Sequence, residues 1–183
     1  MATVIAIDGV SGVGKTTFLD YIRNNTKYKV IVPSAYYDKI KAPGRKEHNI
    51  WLEVWSKVYL YTRHLKDDDV LFLDRSIASY HVYQSEHKEL TNFLLALIHN
   101  DDTNISYHAV LFDTTMERLK LNKGVKKRET PMDYFGLTSH KASIAYKKSI
   151  VWGNGWDLIV DPYSYRRHKD RLLNKILKAC DVC

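Results

Sequence analysis

Residues 9–16 read Gly9-Val10-Ser11-Gly12-Val13-Gly14-Lys15-Thr16, a complete G-x-x-x-x-G-K-[ST] loop. These residue types at this spacing suit the holding of nucleotide phosphates. Gly9, Gly12 and Gly14 let the backbone curl until the N–H groups of the segment Ser11, Gly12, Val13 and Gly14 point inward at phosphate oxygens. A helix start directly after the loop, at Lys15, Thr16 and Thr17, adds unpaired donors and a partial positive charge. Lys15 is expected to reach the β- and γ-phosphates of ATP, and the Thr16 hydroxyl to bind Mg²⁺. The context separates this reading from an ordinary glycine-rich turn. The apolar run Val4-Ile5-Ala6-Ile7 ends in Asp8 just before the loop, and the helical stretch Thr17-Phe18-Leu19-Asp20-Tyr21-Ile22 follows it.

A second pair with chemical potential is Asp74-Arg75, which follows the apolar run at 70–73. A carboxylate at the end of a buried strand beside a phosphate loop can organise Mg²⁺ and its waters or accept a proton. A neighbouring guanidinium can grip a phosphoryl group through paired hydrogen bonds. Both groups suit phosphoryl transfer, in which catalysis is mainly positioning and charge compensation. An Asp74 that merely caps the next helix is the structural alternative.

The elements that must position these groups alternate along the chain. Apolar runs at 4–7, 29–32, 70–73, 108–112 and 157–160 are short and rich in Val, Ile and Leu, as in strands buried on both faces of a parallel sheet. Helical patterns lie between them at about 15–25, 47–66, 76–99, 114–122, 131–150 and 164–180. This alternation predicts an α/β fold with helices on both faces of the sheet. Ligands of such sheets bind beyond the carboxyl ends of the strands. There the sequence places the loop, then residues 33–46, then Asp74-Arg75-Ser76, then Asp113-Thr114-Thr115, then Asp161-Pro162.

The 183 residues suit a single domain spanning 1–183. No apolar run approaches the ~20 residues of a membrane span, and the N-terminus leads straight into a strand, with no signal-peptide pattern. The net charge is +7 and the sequence pI is about 9.2. The functional reading of that charge is an anionic partner, either nucleotide phosphates or nucleic acid, and the alternative is a soluble protein that is merely basic. The basic cluster at 165–178 lies on an amphipathic helical pattern and reads as a solvated face. The two cysteines, Cys180 and Cys183, read as free thiols on a frayed tail in a reducing, cytoplasmic compartment.

The stretch Asp74-Arg75-Ser76-Ile77-Ala78-Ser79 with Tyr83-Gln84 resembles the D-R-[YH]-x-x-S…Y-Q stretch of thymidylate kinases, and the E-R-S-x-x-S stretch of deoxynucleoside kinases. The resemblance extends over most of the chain. Residues 111–120 are similar to the fourth strand and following helix, Lys123-Gly124-Val125-Lys126-Lys127-Arg128-Glu129 to the basic lid, and residues 156–161 to the last strand. It implies a three-layer P-loop kinase with a five-stranded parallel sheet, helices on both faces and a short basic lid at about 122–131. It also implies ATP and Mg²⁺ as cofactors, a small-molecule deoxynucleotide as acceptor, no membrane and a homodimer packed through helices. The apolar helix at 90–98 would serve as that contact, or would be buried within one chain.

By the same resemblance, the charge on the transferring group comes from the phosphate loop or from the lid. Val10 to Val13 carry no arginine, so the lid must supply it, with Arg128 first and Lys126 and Lys127 behind. A cationic lid also excludes water that would hydrolyse ATP. Three departures concern the acceptor. Ser11 stands where thymidylate kinases often carry a carboxylate, Val32-Pro33-Ser34 replaces Glu-Pro after the second strand, and Val54 occupies the place of an acceptor-phosphate arginine. Lys57, one turn further, is the substitute. The missing Glu counts against nucleoside phosphorylation unless Asp38 or Asp74 is the base; a phosphate acceptor needs little help from one. Tyr36, Tyr37, Trp55 and Tyr59 are candidates to stack on a base. Ser79 and Gln84 are candidates on the helix leaving the site, Gln84 through an amide that can read a pyrimidine edge.

The leading expectation is phosphoryl transfer from ATP to a deoxynucleoside monophosphate, most of all dTMP. Lys15, Asp74, Arg75 and Arg128 would be catalytic, Thr16 and Asp74 would hold the metal, and Arg75 would bridge to the acceptor. A deoxynucleoside kinase is the enzymatic alternative. A nucleotide- or nucleic-acid-binding module with a degenerate kinase fold is the non-enzymatic one.

Overall fold

The computed structural model describes residues 1–83, 92, 96, 104–122, 139–149 and 155–182. Five strands form one wholly parallel sheet: β1 (Ala2–Asp8), β2 (Lys29–Ile31), β3 (Val70–Asp74), β4 (Ile105–Phe112) and β5 (Leu158–Val160). Their order is β2-β3-β1-β4-β5. The chain leaves β1 toward one edge, returns through β3, and then crosses to the other side for β4 and β5. The centre of the sheet is therefore its switch point, and the carboxyl end of β1 opens there.

The helices are α1 (Lys15–Asn25), α2 (Pro33–Ile40), α3 (Glu47–Thr62), α4 (Ile77–Tyr83), α5 (Met116–Asn122), α6 (Ser139–Lys147) and α7 (Lys169–Ala179), with a 3₁₀ turn at Pro162–Tyr165. Side chains alternate across the strands, so each strand feeds two cores. On one face Ile5, Ile7, Phe72, Val110 and Phe112 pack with Phe18, Leu19 and Ile22 of α1 and Leu172, Leu173 and Ile176 of α7. On the other Val4, Ala6, Leu71, Leu73 and Ala109 pack with Trp55 and Val58 of α3 and with Ile77 and Ala78 of α4. The expected three-layer α/β architecture is present, with all five apolar runs as strands.

Several elements differ from expectation. Residues 33–40, which fall outside the helical patterns read from sequence, form α2. Pro33 occupies its first turn, where a fixed φ favours helix and the missing N–H leaves no bond unmade. The helix expected at 47–66 ends at Thr62, whose hydroxyl turns back to the Tyr59 carbonyl (2.7 Å). The helix expected from 164 begins at Lys169, because Asp161 and Pro162 first initiate the 3₁₀ turn. The apolar positions Leu90, Phe93, Leu94, Leu97 and Ile98, and with them the helical contact proposed for a homodimer, lie outside the described residues.

The C-terminus requires a correction. Cys180 is not on a frayed tail; it caps the C-terminus of α7, is 2 % exposed and belongs to the core. Burial, and then the charges of Asp157 and Asp181, push its thiol up to about 12, which makes it a small apolar side chain rather than a nucleophile. The basic side chains Arg166, Arg167, Arg171, Lys175 and Lys178 do lie on an exposed face. Among the described residues no helix is long and apolar enough to cross a membrane.

Candidate functional site

The loop at 9–16 joins β1 to α1 at the switch point, and its glycines are conformationally required. Gly9, Gly12 and Gly14 have φ of 133°, 80° and 107°, a region costly for other residues. Gly9 is also sterically locked: a Cβ there would lie 2.3 Å from the Phe112 carbonyl oxygen at the end of β4. Val10 and Val13 anchor the loop in the core at 2 % and 0 % exposed, while Gly12 faces solvent and Ser11 is half-buried. Gly14 is the left-handed residue from which α1 starts, and Thr16 and Thr17 lie exposed on its first turn.

Lys15 is buried, and its amine donates to the carbonyls of Gly9 (2.8 Å) and Val10 (3.0 Å). The ammonium therefore lies across the loop that the glycines shape. From the opposite side, the Tyr163 hydroxyl donates to the Gly12 carbonyl (2.8 Å), clipping the 3₁₀ turn onto the loop. Asp161 accepts from the Tyr163 N–H (3.0 Å) and is paired with Arg118 of α5. Asp113, at the end of β4, is paired with Lys147 (2.6 Å) and accepts from Ser143 (2.7 Å), which fixes α6 beside the site.

The end of β3 carries the second half of the site. Asp74 lies opposite Ile7 in the sheet. Its Oδ1 is buried and makes no hydrogen bond to the described residues. A buried carboxylate oxygen without a partner is costly unless a cation or water meets it. That is the environment of a metal-seeking group. Among the described residues no three His, Cys, Asp or Glu side chains form a protein-only metal cage. Mg²⁺ does not need one, since it commonly takes one or two carboxylates together with substrate phosphates. The buried Asp74 oxygen thus has the chemistry of a Mg²⁺ ligand.

Arg75 adopts a left-handed backbone (φ 83°), a strained conformation held by its N–H donating to the Ile7 carbonyl (3.0 Å). Its guanidinium turns toward the loop and donates to the carbonyl of Gly9 (3.3 Å), to Ser79 Oγ (3.3 Å) and to the Tyr146 hydroxyl (2.7 Å). Asp8, 0 % exposed, accepts from the Ser76 N–H (2.9 Å) and from Ser79 Oγ (2.6 Å), the same hydroxyl that Arg75 meets. Burial pushes the Asp8 carboxyl above its ordinary value, against the lowering effect of the Ser76 and Ser79 hydrogen bonds and the Arg75 charge.

The structure therefore brings Lys15, Arg75 and Ser79 together around Gly9, with Asp74 on the strand beside it. Other expected residues sit elsewhere. Trp55 is 6 % exposed and belongs to the core cluster that includes Ile31, Leu73 and Ile77, and Tyr36 packs against the same cluster from α2. Tyr37 stacks on Trp51 with ring centroids 4.7 Å apart. Lys57 lies on the exposed side of α3, where its amine donates to Glu53 (2.8 Å), which also binds Arg45 (2.9 Å). Gln84 and the lid cations Lys126, Lys127 and Arg128 lie outside the described residues. Asp8, Tyr146 and Tyr163 were not singled out from sequence. Asp8 carried a signal, as an acid closing an otherwise apolar strand at the lip of the loop. The two tyrosines carried none among the thirteen in the chain.

No protein-family model and no curated protein matches the chain. Solved structures do. The deoxyadenosine kinase from M. mycoides with bound dATP superposes with a TM-score of 0.57 at 14 % identity, over 94 % of this chain and 98 % of that one. The M. tuberculosis APS kinase CysC in complex with AMPPNP and APS matches at 0.52 and 16 % identity, over 98 % of each. An unliganded sugar kinase from Janibacter sp. HTCC2649 matches at 0.52 and 13 % identity, over 100 % of this chain and 96 % of that one. The fold is that of a P-loop kinase. At these identities the likeness concerns the fold and does not single out thymidylate kinases.

Proposed function

We propose that this chain is an ATP- and Mg²⁺-dependent kinase that transfers the γ-phosphoryl group of ATP to a deoxynucleoside monophosphate, with dTMP as the first candidate acceptor. The observation that carries the reading is the convergence of Lys15, Arg75 and Asp74 on the carboxyl ends of β1 and β3. In the transfer, an acceptor phosphate oxygen bonds to the γ-phosphorus as the bond to the β–γ bridging oxygen breaks, leaving ADP. Mg²⁺, when bound, neutralises charge on the donor phosphates.

The chain's own residues do the rest. Loop amides and the α1 N-terminus take the donor phosphates, and Lys15 exchanges its carbonyl partners for phosphate oxygens. Asp74 and Thr16 hold the metal. Arg75 supplies a fixed guanidinium between donor and acceptor phosphates, a charge already oriented before the reaction. Arg128, with Lys126 and Lys127, is the proposed lid charge.

A nucleoside acceptor is a second reading, favoured by the likeness to a deoxyadenosine kinase fold. It needs a base for the sugar hydroxyl. Of the two candidates, Asp38 is exposed on α2 and paired with Lys41 (2.9 Å), and Asp74 is the metal ligand of this proposal. This supports an acceptor that is already ionised. The test is ADP release measured with each deoxynucleoside monophosphate and each deoxynucleoside in turn, with product masses. Turnover with a monophosphate is expected. Turnover with nucleosides alone would transfer the assignment to the second reading, and no acceptor-dependent turnover would sink both.

A further inference from the structure

We infer that Tyr146 is a positioning residue for Arg75, the last link of a one-way hydrogen-bond relay that starts at the buried carboxylate of Asp8. This rests on the proposed kinase function and concerns the grip on the acceptor phosphate. Four elements contribute: Asp8 from β1, Arg75 from the β3–α4 junction, Ser79 from α4 and Tyr146 from α6. Tyr146 is 0 % exposed, and its hydroxyl lies 2.7 Å from both the Arg75 guanidinium and Ser79 Oγ.

The chemistry of the groups sets the direction of every bond. Ser79 Oγ donates its single proton to Asp8 Oδ1 (2.6 Å). Ser79 then has only lone pairs to offer, so Tyr146 donates its proton to Ser79. A guanidinium only donates, so Arg75 gives an N–H to the lone pair that remains on Tyr146. The order is Arg75 to Tyr146 to Ser79 to Asp8, with each hydroxyl passing polarity toward the buried Asp8 carboxyl. A relay of this kind, with each member satisfied, holds its terminal group more firmly than any single bond. It turns the guanidinium toward the Gly9 carbonyl (3.3 Å), at the lip of the phosphate loop. Ser79, expected from sequence to meet the substrate, is instead a buried link at 7 % exposed.

The deciding variant is Tyr146→Phe, which keeps the ring that fills the core and removes only the hydroxyl. The acceptor KM is expected to rise about tenfold, the effect of one hydrogen bond to a charged group. The KM for ATP should stay within about twofold. The double variant Arg75→Ala/Tyr146→Phe should be no worse than Arg75→Ala, because Tyr146 acts through Arg75. A purely structural tyrosine would instead affect both substrates and add to Arg75→Ala. Ser79→Ala breaks the same relay from α4 and stands in should Tyr146→Phe fail to fold.

A readout independent of turnover is the Arg75 side-chain N–H resonance of the ¹⁵N-labelled full chain, assigned through Arg75→Lys. It should exchange slowly with solvent in the wild type and at least about tenfold faster in Tyr146→Phe. An unchanged acceptor KM with an unchanged Arg75 resonance overturns the inference. If the wild type turns over no acceptor, the proposed function falls, and the resonance alone still decides whether Tyr146 holds Arg75.

Discussion

An alanine at position 9 would set its Cβ 2.3 Å from the Phe112 carbonyl oxygen and 3.2 Å from Val13, on a backbone with φ of 133°. Neither neighbour can yield cheaply, since one is strand backbone and the other is a core anchor of the same loop. Gly9→Ala is therefore expected to lower stability by about 1–3 kcal/mol, the range for forcing a side chain into such a conformation. It should also abolish ATP binding, because relief of the clash moves the carbonyl to which Lys15 and Arg75 both donate. Urea unfolding and ATP titration of the variant check the two effects. Unchanged stability would mean that the end of β4 is softer than its packing indicates. Gly14 differs in kind: a Cβ there would come no nearer than 4.0 Å to the Pro162 side chain, so its constraint is conformational rather than steric.

At the scale of elements, a short chain of bonds ties β4 to the start of β5. The Ser106 hydroxyl lies 2.7 Å from His108 Nε2, and His108 Nδ1 lies 2.8 Å from Asp157 Oδ1. The other Asp157 oxygen accepts from the Ala109 N–H (2.7 Å). Burial alone would raise the Asp157 carboxyl. The hydrogen bonds from His108 and the Ala109 N–H, with the charge of His108, outweigh burial and hold it below its ordinary value. A carboxylate depressed in the folded state stabilises the fold above its unfolded pKa of about 3.9, and that contribution disappears as pH falls through the folded value. The slope of unfolding free energy against pH is thus expected to flatten below about pH 5 in Asp157→Asn. Chemical denaturation at several acid pH values measures it, and an unchanged slope would remove Asp157 from the acid response. Elements differed in how far they were legible in sequence. The strands were clear because burial on both faces leaves runs such as Val4-Ile5-Ala6-Ile7 without polar interruption. The phosphate loop was clear because backbone geometry demands its glycines. Helix α2 was not, because residues 33–40 bury little beyond Pro33 and so carry no apolar stripe. Tyr146 was hidden for a related reason: its hydroxyl partners come from elements at positions 75 and 79, and no local pattern records a contact across that separation.

For the whole molecule, the net charge of +7 and the exposed basic face of α7 leave polyanion binding as a competitor to a nucleotide site. Linkage separates them. A ligand that binds only the folded chain at 100 times its Kd adds about 2.7 kcal/mol of stability. For a domain of this size each kcal/mol shifts Tm by about 2–4 °C, so saturating Mg·ATP is expected to raise it by roughly 5–10 °C. The geometry of the phosphate loop dictates how that shift must divide. Lys15→Ala should remove most of it, because the amine that crosses the loop is lost. Asp74→Asn should leave the shift with ATP alone and remove only the increment due to Mg²⁺, because its buried oxygen is the proposed metal ligand. Raising the salt concentration from about 50 to about 200 mM should weaken the shift only modestly, since a few buried charges and loop amides do the binding. A polyanion on the α7 face would behave in the opposite way. Its affinity falls by orders of magnitude over that range when about six or more phosphates are contacted, and it is indifferent to Lys15. A thermal shift that ignores Lys15 and collapses with salt would move the function from the carboxyl edge of the sheet to the α7 surface.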